Sequence, residues 1–96
     1  MAQIIWTKQA FADLEKIHKF IRLDSIYYAD FFIQKIIKSV DRLEFFPESG
    51  RIVPETNKKE IREVILSDYR IVYKFQNSII SVIAVYHGAK KLEDIT

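Results

Sequence analysis

The chain predicts an α+β domain of order β-α-α-β-β-β, a helical hairpin packed on one face of a small, mainly antiparallel sheet. Three observations carry that expectation. Apolar residues between positions 8 and 43 recur at three- and four-residue steps. Three strand-type runs joined by short polar turns fill positions 61–87. A stretch holding both prolines and Gly50 separates the two halves. Ninety-six residues suit one domain, 1–96, near the lower end of what folds unaided, and 49% hydrophobic residues supply one two-layer core.

Gln3-Ile4-Ile5-Trp6 is a short β-type run, and Thr7 behind it is placed to cap a helix. From Lys8 to Arg22, Ala10, Phe11, Leu14, Ile17 and Ile21 form one apolar stripe. Asp24 and Ser25 offer the next cap, and Ile26, Ala29, Ile33, Ile36, Val40 and Leu43 continue with spacings of 3, 4, 3, 4 and 3. So few residues separate the helices that they should fold back as a hairpin. Pro47 stops the second helix by disfavouring α geometry in the residue before it. Pro47 to Gly50 reads as a turn, and Arg51 to Lys59 as an exposed connection.

Ile61 to Leu66 is the first strand of the C-terminal half. Ser67-Asp68 turns into Tyr69–Phe75, where Tyr69, Ile71, Tyr73 and Phe75 share one face and Arg70, Val72 and Lys74 the other. Gln76-Asn77-Ser78 leads into Ile79–His87, apolar on both faces, as befits an interior strand. Gly88 ends it, and a charged, mobile tail is expected to follow. The hairpin should cover one sheet face and leave the other partly open, and function is expected on the open side.

Composition excludes several chemistries. With no cysteine there is no disulfide framework or thiolate metal site, and two distant histidines, His18 and His87, make a poor metal cluster. No cofactor and no metal are expected. No apolar run is long enough to span a bilayer and no leader-like segment opens the chain, so a cytoplasmic protein without a membrane partner is expected. The net charge is +2, with seven basic and six acidic residues up to Phe46 and eight and seven after it. No half is a basic arm, so any contact with nucleic acid must depend on local placement.

No phosphate loop or glycine-framed nucleophile is present. The polar groups on or beside the strands are Arg62, Arg70, Lys74 and His87. Arg70 belongs to the helix-free face, where its fork suits phosphate oxygens or a cross-strand pair with Glu63. His87 could move a proton in RNA cleavage, or cap the sheet by bonding to backbone. His18 reads as a solvated helix residue. Arg51 either reaches a ligand or ties its turn to an acid such as Glu48 or Glu55. Tyr69, Tyr73, Phe75 and Trp6 read as core rather than as a base-stacking platform. Lys58-Lys59 and Lys90-Lys91 are solvated charge or phosphate contacts.

In order and spacing these pieces resemble the RelE/ParE toxin family. The likeness runs from about Ile4 to Lys91. It rests on Trp6-Thr7 with Ala10-x-x-Asp13-Leu14, on Phe45-Phe46-Pro47-Glu48-Ser49-Gly50-Arg51, on Ile61-Arg62-Glu63, on Tyr69-Arg70-Ile71-Val72-Tyr73, and on Val85-Tyr86-His87-Gly88. The resemblance implies the toxin of a type II toxin–antitoxin system, neutralised by a small cognate antitoxin. It implies one of two targets. Ribosome-dependent mRNA endonucleases of this family would use Arg70 on the phosphate, His87 as acid or base and Arg62 nearby. Arg51, Lys58, Lys59, Lys74, Lys90 and Lys91 would contact the target. Members that inhibit DNA gyrase cut no RNA. The Phe-Pro-x-Ser-Gly-Arg turn and the His-Gly ending resemble this second, ParE-like branch. This chain lacks the close-set lysines of the RelE type, and Gly88 stands where YoeB-like members carry tyrosine.

Overall fold

In the computed structural model, residues 1–88 are described. Their order is β1 (Gln3–Trp6), α1 (Lys8–Ile21), α2 (Ile26–Asp41) with a 3-10 turn over Arg42–Glu44, β2 (Arg51–Ile52), β3 (Ile61–Leu66), β4 (Tyr69–Gln76) and β5 (Ile79–His87). The strands form one five-stranded sheet in the order β1-β5-β4-β3-β2. β1 runs parallel to β5, and the other pairings are antiparallel. The expected α+β arrangement is therefore present, with β2 as an added two-residue strand. Lys90 and Lys91 lie outside the described residues.

Local chemistry explains the boundaries. Thr7 Oγ1 accepts the Ala10 N–H at 3.1 Å and Ser25 Oγ accepts that of Tyr28 at 3.1 Å, so each helix starts on a hydroxyl cap. The β4–β5 turn has Asn77 at φ 55° and Ser78 at φ 62° between the paired Gln76 and Ile79. Two central residues with positive φ are the signature of the hairpin turn whose twist matches its strands.

Three buried groups make the interior. Ala10, Leu14 and Ile17 of α1 meet Phe32, Ile36 and Val40 of α2 and Ile71, Val82 and Val85 of the sheet. Leu43, Ala2, Tyr73 and Ile80 close one end. Two residues of the helical stripes depart from expectation. Phe11 and Ile26 are exposed, while Phe32, outside the stripe as read, is buried. The apolar face of α2 is wider than a single three–four row, so Phe32 and Ile33 both reach the core side.

The third group, Val53, Val72, Ala84 and Tyr86 with Ile61 and Ile83, occupies the face away from the helices. Here the open-face expectation is corrected. The segment after β2, read as an exposed connection, sends a fully buried Val53 onto the sheet. Val53 N–H donates to Ile61 O at 3.1 Å, closing the base of a loop over that face. Apolar residues on both faces of β4 and β5 require two covers, and the helices supply only one.

β5 carries a bulge: Val72 pairs with Ala84 but Tyr73 with Val82, leaving Ile83 as the extra residue. Thr7 satisfies the carbonyls there, its N–H reaching Val82 O at 3.1 Å and its hydroxyl lying 2.8 and 3.1 Å from Val82 O and Ile83 O. Beyond the end of β1, Asp13 Oδ2 accepts the Val85 N–H at 3.0 Å. Side chains of the β1–α1 junction thus substitute for a missing strand.

Candidate functional site

On the helix-free face, three strands and the covering loop bring four charged residues together. Arg51 on β2 stands opposite Glu63 on β3. Arg70 on β4 lies diagonally from Glu63, whose direct partner is Val72. Alternation puts Arg51, Glu63 and Arg70 on one side of the sheet. The Glu63 carboxylate is fully buried and divides its oxygens, Oε2 accepting from Arg51 Nε and Oε1 from Arg70 Nε at 2.6 Å. The far side of Arg70 faces the loop, where Nη1 and Nη2 donate to Glu55 Oε2 and Oε1 at 3.0 and 3.1 Å. A planar fork meeting a carboxylate in this way is the strongest ion-pair geometry available to arginine.

The electrostatics follow from these contacts. The Arg70 bond holds the Glu55 carboxyl below its ordinary range. Glu55 first and Glu63 second hold Arg70 more firmly protonated, against the opposing effect of burial. Tyr86, directly across from Arg70 on β5, has its ring centroid 6.0 Å from the guanidinium carbon. Burial pushes its hydroxyl up to about 12, the Arg70 charge pulling the other way. That hydroxyl is buried and has no hydrogen-bond partner among the described residues.

The residues singled out in the sequence do not form one cluster. Arg70 is 7% exposed and paired with Glu63, one of the two alternatives for it. His87 pairs with Tyr69, not Arg70, and its ring meets that of Tyr69 edge-on at 5.8 Å. Tyr69 packs on Phe32 of α2, so His87 belongs to the helix side and Arg70 to the other. Arg62 stands opposite Tyr73, four residues along β4 from the position opposite His87, a separation of roughly 13 Å along the strand. Its guanidinium donates to Gly50 O at 2.8 Å and Glu48 O at 3.2 Å, bracing the turn. Arg51 does tie its loop to an acid, but the acid is Glu63 rather than Glu48 or Glu55. Lys58 and Lys59 are exposed on the covering loop, and Lys74 is half-buried on the Arg70 face. His18, read as solvated, bridges the two helices through Nε2 to Asp30 Oδ1 at 2.7 Å.

The turn before β2 has its own anchor. Tyr73 Oη donates to Pro47 O at 2.7 Å and accepts the Gly50 N–H at 3.1 Å. A Cβ at Gly50 would fall 2.6 Å from that oxygen and 2.7 Å from Glu63 O, so glycine is required by close approach. Glu55 and Tyr86 were not read as site residues. Glu55 has no periodic pattern to mark it, and the orphaned hydroxyl of Tyr86 exists only once the loop covers it.

A second feature is the surface of the hairpin. Phe20, Leu23, Tyr27, Tyr28 and Phe31 are all more than half exposed around the link between the helices. Among the described residues no group of His, Asp and Glu could hold a metal ion, and no helix is long and apolar enough to cross a membrane.

Comparison with known proteins places the chain in a family. A family model described as ParE toxin of type II toxin-antitoxin system, parDE, matches residues 4–92. The chain belongs to the ParE toxin family. It is 31% identical over 91 residues to Toxin RelE2 of Caulobacter vibrioides, covering 94% of this chain and 99% of that one. The fold of this ParE-family toxin is similar to a chain of the chromosomal ParDE toxin–antitoxin system from P. aeruginosa, with a TM-score of 0.75 at 21% identity, covering 91% of this chain and 96% of the other. It is also similar to a chain of the toxin–antitoxin complex RelBE2 from Mycobacterium tuberculosis, with a TM-score of 0.64 at 15% identity and coverage of 90% and 96%. The protein is thus a toxin of the type II class within the wider RelE/ParE group.

Proposed function

We propose that this toxin acts in the cytoplasm by binding DNA gyrase and blocking it, without cutting RNA. The observation that carries the reading is the pairing of Arg70. Its Nε is held by Glu63 and both terminal nitrogens by Glu55, while His87 belongs to the opposite face of the sheet. Cleavage through a 2′-hydroxyl needs a phosphate-stabilising cation and a proton-transfer group around one phosphate. The resting arrangement of Arg70, His87 and Arg62 does not gather those functions. The ParE family membership supports the same choice.

The decisive experiment sets purified toxin against gyrase supercoiling and, separately, against ribosome-programmed mRNA. Loss of supercoiling at micromolar toxin with intact mRNA is expected. Intact supercoiling with cleaved mRNA would establish the alternative, a RelE-like ribosome-dependent endonuclease. One relative does carry the RelE2 name, which keeps that alternative in the experiment. There, Arg70, His87 and Arg62 would be catalytic and Arg51, Lys58, Lys59, Lys74, Lys90 and Lys91 would hold the target.

The partner that silences the toxin is a cognate antitoxin. Both similar solved structures come from toxin–antitoxin systems. The exposed Phe20, Leu23, Tyr27, Tyr28 and Phe31 surface is its proposed seat. Large apolar side chains left exposed in this number around one link of the hairpin support an interaction site there, and an amphipathic helix is an element that fits such a surface.

A further inference from the structure

The two edges of the sheet are finished differently. β2 is two residues long, carries Arg51 and runs directly into the covering loop, whose Val53 N–H bonds Ile61 O. Short length and charge are common means of blunting an edge against other chains. β1 forms the opposite edge, and among the described residues β5 is its only strand neighbour. Gln3-Ile4-Ile5-Trp6-Thr7 holds no charge and no proline. Its register with β5 runs unbroken from Gln3 to Trp6, with no bulge to turn the edge away. This edge is left open to pairing.

The backbone bonds show which groups face outward. Gln3 N–H donates to Ser78 O at 3.0 Å and Thr7 N–H to Val82 O at 3.1 Å, so the odd-numbered residues turn their backbone toward β5. By alternation Ile4 and Trp6 turn their N–H and C=O to the free side. Ala2 faces that way too, but its N–H is taken by Glu44 O at 3.1 Å, and α1 starts at Lys8. The open frame therefore runs from Ile4 to Trp6. Their side chains pack against the helix-side core, whereas Ile5 belongs to the other face and is 42% exposed.

An edge of this kind takes an extended backbone, and the strand is its own complement. About a two-fold axis at Ile5, Ile4 of each copy exchanges backbone bonds with Trp6 of the other, an aromatic side chain against a β-branched one. Ile5 meets Ile5 of the second copy at a non-bonded position, where side chains come closest. Gln3 falls opposite Thr7 and Lys8 opposite Ala2, so no like charges are opposed. We propose that the toxin self-associates through β1, joining two five-stranded sheets into one across this axis. The frame is short, so the association is weak and depends on concentration. It uses no residue assigned to the antitoxin or the target and holds for either target.

Sedimentation of the antitoxin-free toxin over roughly 1–100 μM tests the proposal. Wild type should pass from monomer to dimer across that range. Ile5→Lys and Ile5→Glu, each placing like charges opposite one another, should weaken association about tenfold or more. An equal mixture of the two variants should recover the dimer, because opposite charges then meet. Wild type that stays monomeric overturns the proposal and leaves the edge to an extended segment of another protein. A dimer that persists in Ile5→Lys, or a mixture that stays monomeric, overturns it as well. Amide exchange gives a reading without substitution. Exchange at Ile4 and Trp6 should slow as wild-type concentration rises, while Thr7, already bonded to Val82 O, stays constant. No slowing at Ile4 and Trp6 in a dimeric sample excludes β1 as the contact.

Discussion

Tyr73 and Tyr86 are both buried tyrosines on neighbouring strands, and their hydroxyls have opposite roles. The Tyr73 hydroxyl closes the turn by bonding Pro47 O and the Gly50 amide, whereas that of Tyr86 has no partner among the described residues. Removing a partner from a buried amide costs about 1–3 kcal/mol, while removing an unsatisfied hydroxyl costs little or stabilises. Urea unfolding should therefore show Tyr73→Phe weakened by about that amount and Tyr86→Phe unchanged or stronger. Arg70 gives a second contrast. Arg70→Ala leaves the fully buried Glu63 carboxylate with Arg51 alone, and stability should fall by about 3–5 kcal/mol in the same measurement. Loss of toxicity in that variant is uninformative unless its fold is checked. Acid dependence belongs at this scale too. Because the Arg70 bond depresses the Glu55 pKa on folding, the unfolded chain binds that proton more readily. The Glu55–Arg70 ion pair contributes fully above the unfolded carboxylate value of about 4.5 and is lost as pH falls through the lower folded value. Unfolding midpoints should drop as pH falls below about 4.5, and the part of the drop due to Glu55 should vanish in Glu55→Gln.

Among the elements, the junction of β1 and α1 does the most with the fewest residues. Thr7 caps α1 and also satisfies two carbonyls at the β5 bulge, and Asp13 accepts an amide from β5 where β1 has ended. Thr7→Val keeps the shape and the backbone bond to Val82 O but removes the hydroxyl's bonds to the Ala10 N–H, Val82 O and Ile83 O, so a loss of about 1–3 kcal/mol is expected. Amide exchange should locate the weakening at Val85 in Asp13→Ala, where the N–H loses the Asp13 carboxylate as acceptor. The cap at Thr7 was legible from residue type and position. Its second task was not, because the carbonyls it serves lie 75 and 76 residues away in sequence. Similarly, the stripe of α2 announced a helix, yet Phe32 was misplaced because a three–four rule draws a narrower face than the one the sheet covers.

At the scale of the whole molecule, two surfaces divide the work. The hairpin presents exposed aromatic side chains, and the opposite face is closed by the loop and its ion pairs. Substituting Tyr27→Ser and Phe31→Ser together should leave the melting temperature nearly unchanged, since both rings are largely in solvent. Antitoxin affinity should fall by about 2 kcal/mol or more, as expected for aromatic anchors at an interface, and titration calorimetry would measure it. Equal antitoxin affinity would place the partner elsewhere. Induction in cells separates the two targets: gyrase poisoning raises the DNA-damage response first, whereas mRNA cleavage stops translation first.

Periodicity and turn chemistry, both local properties of the chain, determined the helices, the three long strands and their order, and with the motif order they determined the family. A helix face repeats every three to four residues and a strand face every two, so each can be read without knowing what it meets. The tertiary structure decided which charges pair, which sheet face is covered, and that Arg70 and His87 belong to opposite sides. Those outcomes depend on register and on a loop with no period of its own. A side chain such as Glu55 acquires its partner only when a segment 15 residues distant in sequence is brought across the sheet.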